Sequence, residues 1–293
     1  MSSIQGTLIK ASQVLREAGF LSPRLDVELL LAHVLKVDRV GLYGCLSHVL
    51  NPQQKKLFTQ LFQRRLAYEP MAYLLGHKEF YGIHFVVTPH VLVPRPETEL
   101  LVDQALQTLP QQKSAVVIDV CTGSGCVGIS IALHRPHVTV WAVDTSQEAL
   151  QVAQHNARLH GVQDRMRFVC GDLLEPCRHM RQVDCIVANP PYVCAEEFDQ
   201  LPDDVRLHEP KQALIGECMD GLGHHRRILS QAAVLLCDGA GVFLEISPLQ
   251  QQKACRLQGD RLHNLQVLKD NNGFSRLLTF VKKEESHAPS GCR

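Results

Sequence analysis

Several things are scarce in these 293 residues, and each scarcity narrows the reading. No run of about 18 apolar residues occurs, so a membrane-crossing helix is not expected. The chain opens with neither an apolar signal region nor an Arg-rich, acid-poor leader, which favours the cytoplasm and a bacterial setting. Net charge is absent: 30 Lys+Arg balance 30 Asp+Glu. A reader of nucleic acid needs a basic surface to neutralise phosphates, and none stands out. Eleven cysteines include no Cys-x-x-Cys pair, and 15 histidines are scattered without metal-ligand spacing, so no metal site is expected. Cys121, Cys170, Cys185 and Cys237 fall within apolar segments and read as small buried hydrophobes, kept reduced. His224 and His225 adjoin a helix start and read as surface residues. No internal repeat is visible. What is left is an ordinary globular mixture, 45% hydrophobic and 20% charged, in a chain long enough for two domains.

The order of patterns divides the chain. Residues 1–75 carry apolar residues at helical spacing and no convincing strand. Leu57, Phe58, Leu61, Phe62 and Leu66 make one stripe, and Leu29, Leu30, Val34 and Leu35 contribute to another. Ser22-Pro23 and Asn51-Pro52 mark helix starts. Residues 76–96 change to short aromatic and β-branched pieces, Glu79-Phe80-Tyr81-Gly82, His84-Phe85-Val86-Val87 and Val91-Leu92-Val93, and read as a β-hairpin linker. Strand and helix then alternate over 97–283, with Gly241–Ile246 as a fifth strand and Ser275–Val281 as the last. The tail 284–293 is polar and is expected to be disordered. Residues 1–75 hold nine Lys/Arg against five Asp/Glu, a balance of +4. Such a module can steer an acidic protein partner, through Lys55, Lys56, Arg64 and Arg65. Solvated helix faces explain the same charges.

The tetrapeptide Asn189-Pro190-Pro191-Tyr192 follows the apolar run Asp184–Ala188, which reads as a buried strand. Two prolines must end that strand and stiffen what comes next. An amide, two carbonyls with no intervening N–H and an aromatic ring are thereby held at a strand mouth. This corner can accept hydrogen bonds from a planar –NH2 group and cover its face. A proline turn that merely closes a strand is the plain alternative.

Upstream lies Val116–Val120, another apolar strand, running into Cys121-Thr122-Gly123-Ser124-Gly125 and on to Gly128. Gly123, Gly125 and Gly128 fit G-x-G-x-x-G, a pattern that lets backbone approach a ligand before a helix N-terminus. The next strand, Val138–Asp144, ends in an acid that can accept both hydroxyls of a ribose. Strand, loop, helix, strand and terminal acid together point to an adenosine-containing cofactor, either NAD or S-adenosyl-L-methionine. No hydride-handling constellation follows. Instead Met166–Asp172 supplies a third strand whose Asp172 can bind an adenine amino group, and then comes the strand delivering Asn189.

This ordered set resembles the S-adenosylmethionine-dependent methyltransferases that act on amide or exocyclic amino nitrogens. Further segments narrow the likeness: Val91–Val102 with Pro94-Arg95-Pro96-Glu97-Thr98-Glu99, Glu69–Gly76 through Glu79-Phe80-Tyr81, Val205–Pro210 through Ala213-Leu214, and Asp220-Gly221-Leu222 with Arg227-Ile228-Leu229. Over about residues 20–280 the chain is similar to the HemK/PrmC family. That resemblance implies an α/β, class I (Rossmann-like, seven-stranded) methyltransferase domain behind a small helical substrate-docking bundle. It implies methylation of the glutamine amide in the Gly-Gly-Gln tripeptide of peptide chain release factors. It also implies that Cys121 to Gly125, Asp144, Asp172, Leu173 and Asn189 meet the cofactor. Asn189, Pro190, Pro191, Tyr192, Arg95 and Glu97 would then meet the substrate, with Asn189, Pro190 and Tyr192 catalytic. Glu209-Pro210 would belong to a substrate-embracing loop. Departures are Glu245-Ile246-Ser247 where Glu-Ile-Gly or Glu-His-Gly is frequent, Leu173 where some relatives have an aromatic, and Cys121 where glycine is common. Three rivals are a DNA adenine methyltransferase, the sister enzyme acting on a ribosomal-protein glutamine, and a non-catalytic scaffold. The first lacks a basic target-reading module here, the second differs in the Val93–Glu99 segment, and the third would tolerate a broken glycine loop, which is intact.

Overall fold

Two prolines take the first helical position, and only one has a capping neighbour, since the Ser22 side chain makes no cap bond before Pro23. In the computed structural model, which describes residues 3–257 and 261–283, Asn51 forms a reciprocal capping box with Gln54 at the start of its helix, and Pro52 takes the first helical position. Among the described residues the first region holds five helices: α1 (Ile4–Glu17), α2 (Pro23–Leu35), α3 (Arg39–Gly44), α4 (Pro52–Leu66) and α5 (Met71–Leu75). Leu15, Leu30, Leu31, Leu42, Phe58 and Leu61 fill their core. Leu57 is 41% exposed, so the stripe on α4 is narrower than its spacing implied. Charges are used internally too. Glu28, 1% exposed, accepts from Arg24, Arg39 and Tyr43, which hold its carboxyl down at about 2 against the cost of burial. Arg65 bonds Asp26 at 2.8 Å and stacks over Phe20, and Arg64 bonds Glu69. Neither arginine is therefore a loose steering charge, while Lys55 and Lys56 stay exposed.

A hairpin follows, β1 (His77–Phe80) and β2 (Ile83–Val86), and after it Val91-Leu92-Val93 is irregular rather than a strand. Then come α6 (Glu99–Thr108), β3 (Ala115–Val120), α7 (Cys126–His134), β4 (Val138–Asp144), α8 (Gln147–Leu159), β5 (Met166–Cys170) and β6 (Val183–Ala188). The remainder is α9 (Ala195–Phe198), α10 (Asp203–His208), α11 (Gly223–Leu235), β7 (Leu236–Glu245), α12 (Gln251–Ala254), β8 (Leu262–Lys269) and β9 (Ser275–Lys282). The chain separates into two units: residues 1–77 with 202–208, and residues 78–201 with 209–293.

In the second unit seven strands pair in the order β5-β4-β3-β6-β7-β9-β8, with β9 antiparallel to both neighbours and the rest of the pairs parallel. Continuous apolar runs form the central strands because both faces are covered. Ile118, Ile186, Val242 and Leu244 pack with Ile228 and Leu229 of α11. Val117, Val187 and Phe243, pointing the other way, pack with Leu101 and Val102 of α6, and Phe80 and Phe85 of the hairpin join them. β8 is a strand that apolar alternation does not reveal. Asn264 sits at φ 54° beside a register shift between His263 and Gln266, and such a bulge breaks the period of two. The expected tail 284–293 lies outside the described residues.

Candidate active site

Strand register assembles the site. Val120 on β3 lies opposite Val143 on β4 and Ala188 on β6, and Ala188 lies opposite Leu244 on β7. One residue beyond each of those positions come Cys121, Asp144, Asn189 and Glu245, so four loops open at one level along the carboxyl ends of adjacent strands. Strand order reverses between β3 and β6, and an open parallel sheet leaves its crevice at that switch point. A cleft partly open to solvent occupies it.

Of the residues singled out from the sequence, Cys121, Thr122, Gly123, Ser124, Asp144, Asn189, Pro191 and Arg95 line this cleft. Asp144 anchors the glycine loop: its Oδ2 accepts from the Gly123 N–H at 2.9 Å and its Oδ1 from the Ser146 N–H at 2.9 Å. Burial pushes its carboxyl upward, and those backbone donors resist the shift. A carboxylate has about four lone-pair sites, so acceptor capacity remains for diol hydroxyls. Gly125 is the N-cap of α7 in the left-handed region, φ 80°, behind the lining. Gly128 is required by contact instead: a Cβ there would sit 2.9 Å from both Asp119 Oδ2 and Val140 Cγ1. Cys121 holds φ 58°, a conformation where glycine is at ease and a side chain is strained.

At the Asn189 corner, Asn189 Nδ2 donates to Thr98 Oγ1 at 3.2 Å. The other amide atom, Oδ1, is thereby kept as an acceptor. Pro190 and Pro191 are buried, and only Pro191 reaches the lining. Tyr192 is half-buried with its hydroxyl donating to Glu245 Oε1 at 3.3 Å, away from the lining residues. Its phenol is raised above the ordinary range by burial and by the charges of Glu245 and Glu97. The Tyr192 carbonyl accepts from Gln250 Nε2 at 2.8 Å, which also holds the Asp220 carbonyl.

Four residues stand elsewhere. Asp172 is paired with Arg227 and does not line the cleft. Leu173, at φ 49°, is 3% exposed and belongs to the core on the α11 side. Glu97 lies 3.9 Å from the Arg276 guanidinium, also off the lining. His225, expected on the surface, is buried: α11 starts at Gly223 and turns it inward, where Nε2 meets the Glu245 carbonyl at 2.7 Å. Its imidazole is pushed down to about 4 by that burial.

Sequence reasoning missed Thr98, Asp119 and Glu245 as parts of this region. Asp119 is 2% exposed, lines the cleft, and is pushed up to about 7, chiefly by burial. An acid inside the apolar run 116–120 was the signal for it, and Thr98 stands between two glutamates that had drawn notice. Arg95 Nη2 bonds Glu209 Oε1 at 2.5 Å, and Glu209 Oε2 accepts from the Val93 N–H at 3.1 Å. That pair ties the 91–95 segment to the 209–213 segment, and both contribute to the cleft. Asn156 of α8 does similar work, bonding both main-chain groups of Val86 and the Ser124 carbonyl.

Residues 7–76 match the PrmC N-terminal domain, and residues 97–203 match the methyltransferase small domain. The release factor glutamine methyltransferase of Rhodopirellula baltica is 37% identical over 273 residues, 91% of this chain and 92% of that protein. That of Coxiella burnetii is 39% identical over 258 residues, 88% and 91% of the two chains. That of Moorella thermoacetica is 39% identical over 286 residues, 97% and 100%. Among solved structures, the hMettl16 catalytic domain in complex with MAT2A 3'UTR hairpin 6 aligns over 70% of this chain and 77% of its own. Its TM-score is 0.53 at 15% identity, a likeness of fold alone. Identity sustained across nearly the full length of both chains, together with matches in the helical and the sheet regions, places this chain in the release factor glutamine methyltransferase family.

Proposed function

We propose that this protein transfers a methyl group from S-adenosyl-L-methionine to the side-chain amide nitrogen (N5) of the glutamine in the Gly-Gly-Gln motif of peptide chain release factors. The observation that carries the reading is the Asn189 amide, whose Nδ2 is given to Thr98 so that Oδ1 remains to accept from a substrate –NH2. Relatives named as release factor glutamine methyltransferases, aligned over most of both chains, support the substrate. The setting proposed is the cytoplasm, without nucleic acid or membrane as partner. No helix among the described residues is long and apolar enough to cross a membrane.

The cleft suits the cofactor by its donor and acceptor set: a turn of small residues from Thr122 to Ser124, and a terminal acid on the next strand. Asp144 would hold the ribose hydroxyls, and the loop from Cys121 to Gly125 would lie against the rest. Asp172 and Leu173 are proposed for the adenine end, which requires Asp172 to share or release Arg227. When bound, S-adenosyl-L-methionine supplies an electrophilic methyl group on a sulfonium.

An amide nitrogen is a weak nucleophile because its lone pair is delocalised into the carbonyl. Alignment is therefore the main service the protein can give, worth roughly 7–11 kcal/mol in well-oriented reactions. Asn189 Oδ1 and the Pro190 carbonyl accept the two amide hydrogens, direct the lone pair and stabilise positive charge as it develops on nitrogen. Arg95 and Pro191 shape the entrance from the lining, while Tyr192 and Glu97 stand off it, so covering the glutamine side chain requires the substrate to extend past the cleft toward them. No general base is needed before attack, since the proton leaves more readily once nitrogen is methylated.

The test is transfer of labelled methyl from S-adenosyl-L-methionine to purified release factor and to a variant whose tripeptide glutamine is alanine. Label is expected on the intact factor alone, and Asn189→Ala should lower it by roughly 100-fold while cofactor binding holds. Label on both factors, or on neither, overturns the assignment.

A further inference from the structure

Beneath the Asn189–Tyr192 corner lie two buried polar side chains, Thr98 and Glu245, that support the groups meeting the substrate amide. Thr98 is 3% exposed and Glu245 is 1% exposed. Both come from outside the loop they touch, Thr98 from the 3-10 turn Pro96–Thr98 and Glu245 from the carboxyl end of β7. Parallel pairing of β6 with β7 sets Glu245 beside Asn189 in the sheet.

We propose that Thr98 and Glu245 are positioning residues for the methyl acceptor: Thr98 fixes which end of the Asn189 amide faces the cleft, and Glu245 fixes the Tyr192 ring. The inference rests on reading that corner as the place where the substrate amide binds. An asparagine side chain can rotate by half a turn with little change of shape, exchanging its oxygen for its –NH2. Thr98 Oγ1 accepts from Asn189 Nδ2 at 3.2 Å, and because its O–H is turned to the Glu245 carboxylate it does not donate to the amide in exchange, which opposes the turnover. Were the amide to turn over, a donor would meet the substrate's own –NH2 and the required acceptor would be lost. Glu245 Oε1 accepts from the Tyr192 hydroxyl at 3.3 Å, and the Glu245 main-chain carbonyl accepts from His225 Nε2 at 2.7 Å. Its other carboxyl oxygen, Oε2, is buried with no hydrogen-bond partner among the described residues.

Charges facing this carboxyl come from several elements. The Thr98 and Tyr192 hydroxyls and the Arg276 guanidinium on β9 favour its ionised form, while Glu97 opposes it. Cys126 on α7 feels its charge, and His225 on α11 touches only its main-chain oxygen. Burial outweighs the favourable groups and pushes Glu245 up to about 7. Ionised, Glu245 accepts from the Tyr192 hydroxyl. Protonated, it becomes a donor as well, and the hold on the ring weakens. Alignment should therefore be lost as pH falls through about 7.

The experiment is steady-state methyl transfer to release factor by the full chain carrying Thr98→Val, Thr98→Ser or Glu245→Gln. Cofactor binding is measured by calorimetry, and thermal melting checks the fold. Thr98→Val should lower kcat about tenfold, the loss of one orienting hydrogen bond, with KM and cofactor Kd within about twofold. Thr98→Ser, which keeps the hydroxyl, should recover most of that loss. The parent is expected to show an acid limb near neutrality, and Glu245→Gln should flatten it. Wild-type kcat in Thr98→Val, or a Thr98→Ser as slow as Thr98→Val, overturns the role of the hydroxyl. An acid limb unchanged in Glu245→Gln overturns the role of the carboxyl, and that readout stands even if Thr98→Val fails to fold. A parent enzyme that places no label on glutamine defeats the functional reading instead. A parent that is active beside unaffected variants defeats only the positioning role.

Discussion

Asp119 shows how burial and chemistry meet at one residue. Its Oδ2 accepts from the Thr122 hydroxyl at 2.6 Å and the Gly128 N–H at 3.0 Å, yet loss of water dominates and the carboxyl rises to about 7 from 3.8. The folded state therefore binds this proton more tightly than the unfolded chain. That contribution to stability is present in full below the unfolded value and is lost as pH rises toward about 7. Asp119→Asn stays neutral throughout and keeps an oxygen for both donors. Melting temperatures compared between about pH 5 and 8 should show the variant gaining on the parent as pH rises; a difference that does not change with pH would exclude this charge. Individual side chains were unevenly legible beforehand. Asp144 and Asn189 could be read because each ends an apolar run and is aimed by its strand. Asp172 ends such a run too, but its partner Arg227 comes from α11, 55 positions away, and no local pattern announces it. His225 was misread for the same reason, since its environment is supplied by the end of β7.

At the scale of elements, the third glycine of the loop is a packing device. The first turn of α7 presses on β3 and β4 closely enough that Gly128→Ala would drive a methyl against Asp119 and Val140, both at 2.9 Å from the new carbon. Chemical denaturation should report a loss of about 1–3 kcal/mol, the usual cost of overpacking, and methyl transfer should fall as the loop shifts. A variant as stable and active as the parent would mean that the helix has room to retreat. Elements that are regular and buried on both faces were legible: β3, β4, β6 and β7 announce themselves as apolar runs ended by a turn. The bulged edge strand β8 did not, because the backbone irregularity that shapes it erases the alternation by which a strand is recognised.

For the molecule as a whole, the positive balance of residues 1–75 bears on how a protein substrate is met. With Arg65 committed to Asp26 and Arg64 to Glu69, the charge left for steering on α4 is that of Lys55 and Lys56. If this region docks release factor, Lys55→Glu with Lys56→Glu should raise KM for the intact factor by about two- to fivefold at low salt. The effect should fade as salt is added and be absent with a short Gly-Gly-Gln peptide. Equal effects on factor and peptide would remove the docking role.

Sequence alone determined the class of fold, the order of strands and glycine loop, and the residues that end β3, β4 and β6, because strand runs, prolines and glycines act through neighbours in the chain. Tertiary structure decided which way each amide and carboxyl is turned. Thr98 and Asn189 are 91 positions apart and Tyr192 and Glu245 are 53; the first pair meet because α6 packs on β6, the second because β6 and β7 pair in parallel. A hydrogen bond made across such a distance depends on register and burial, and neither is written in any short stretch of the chain.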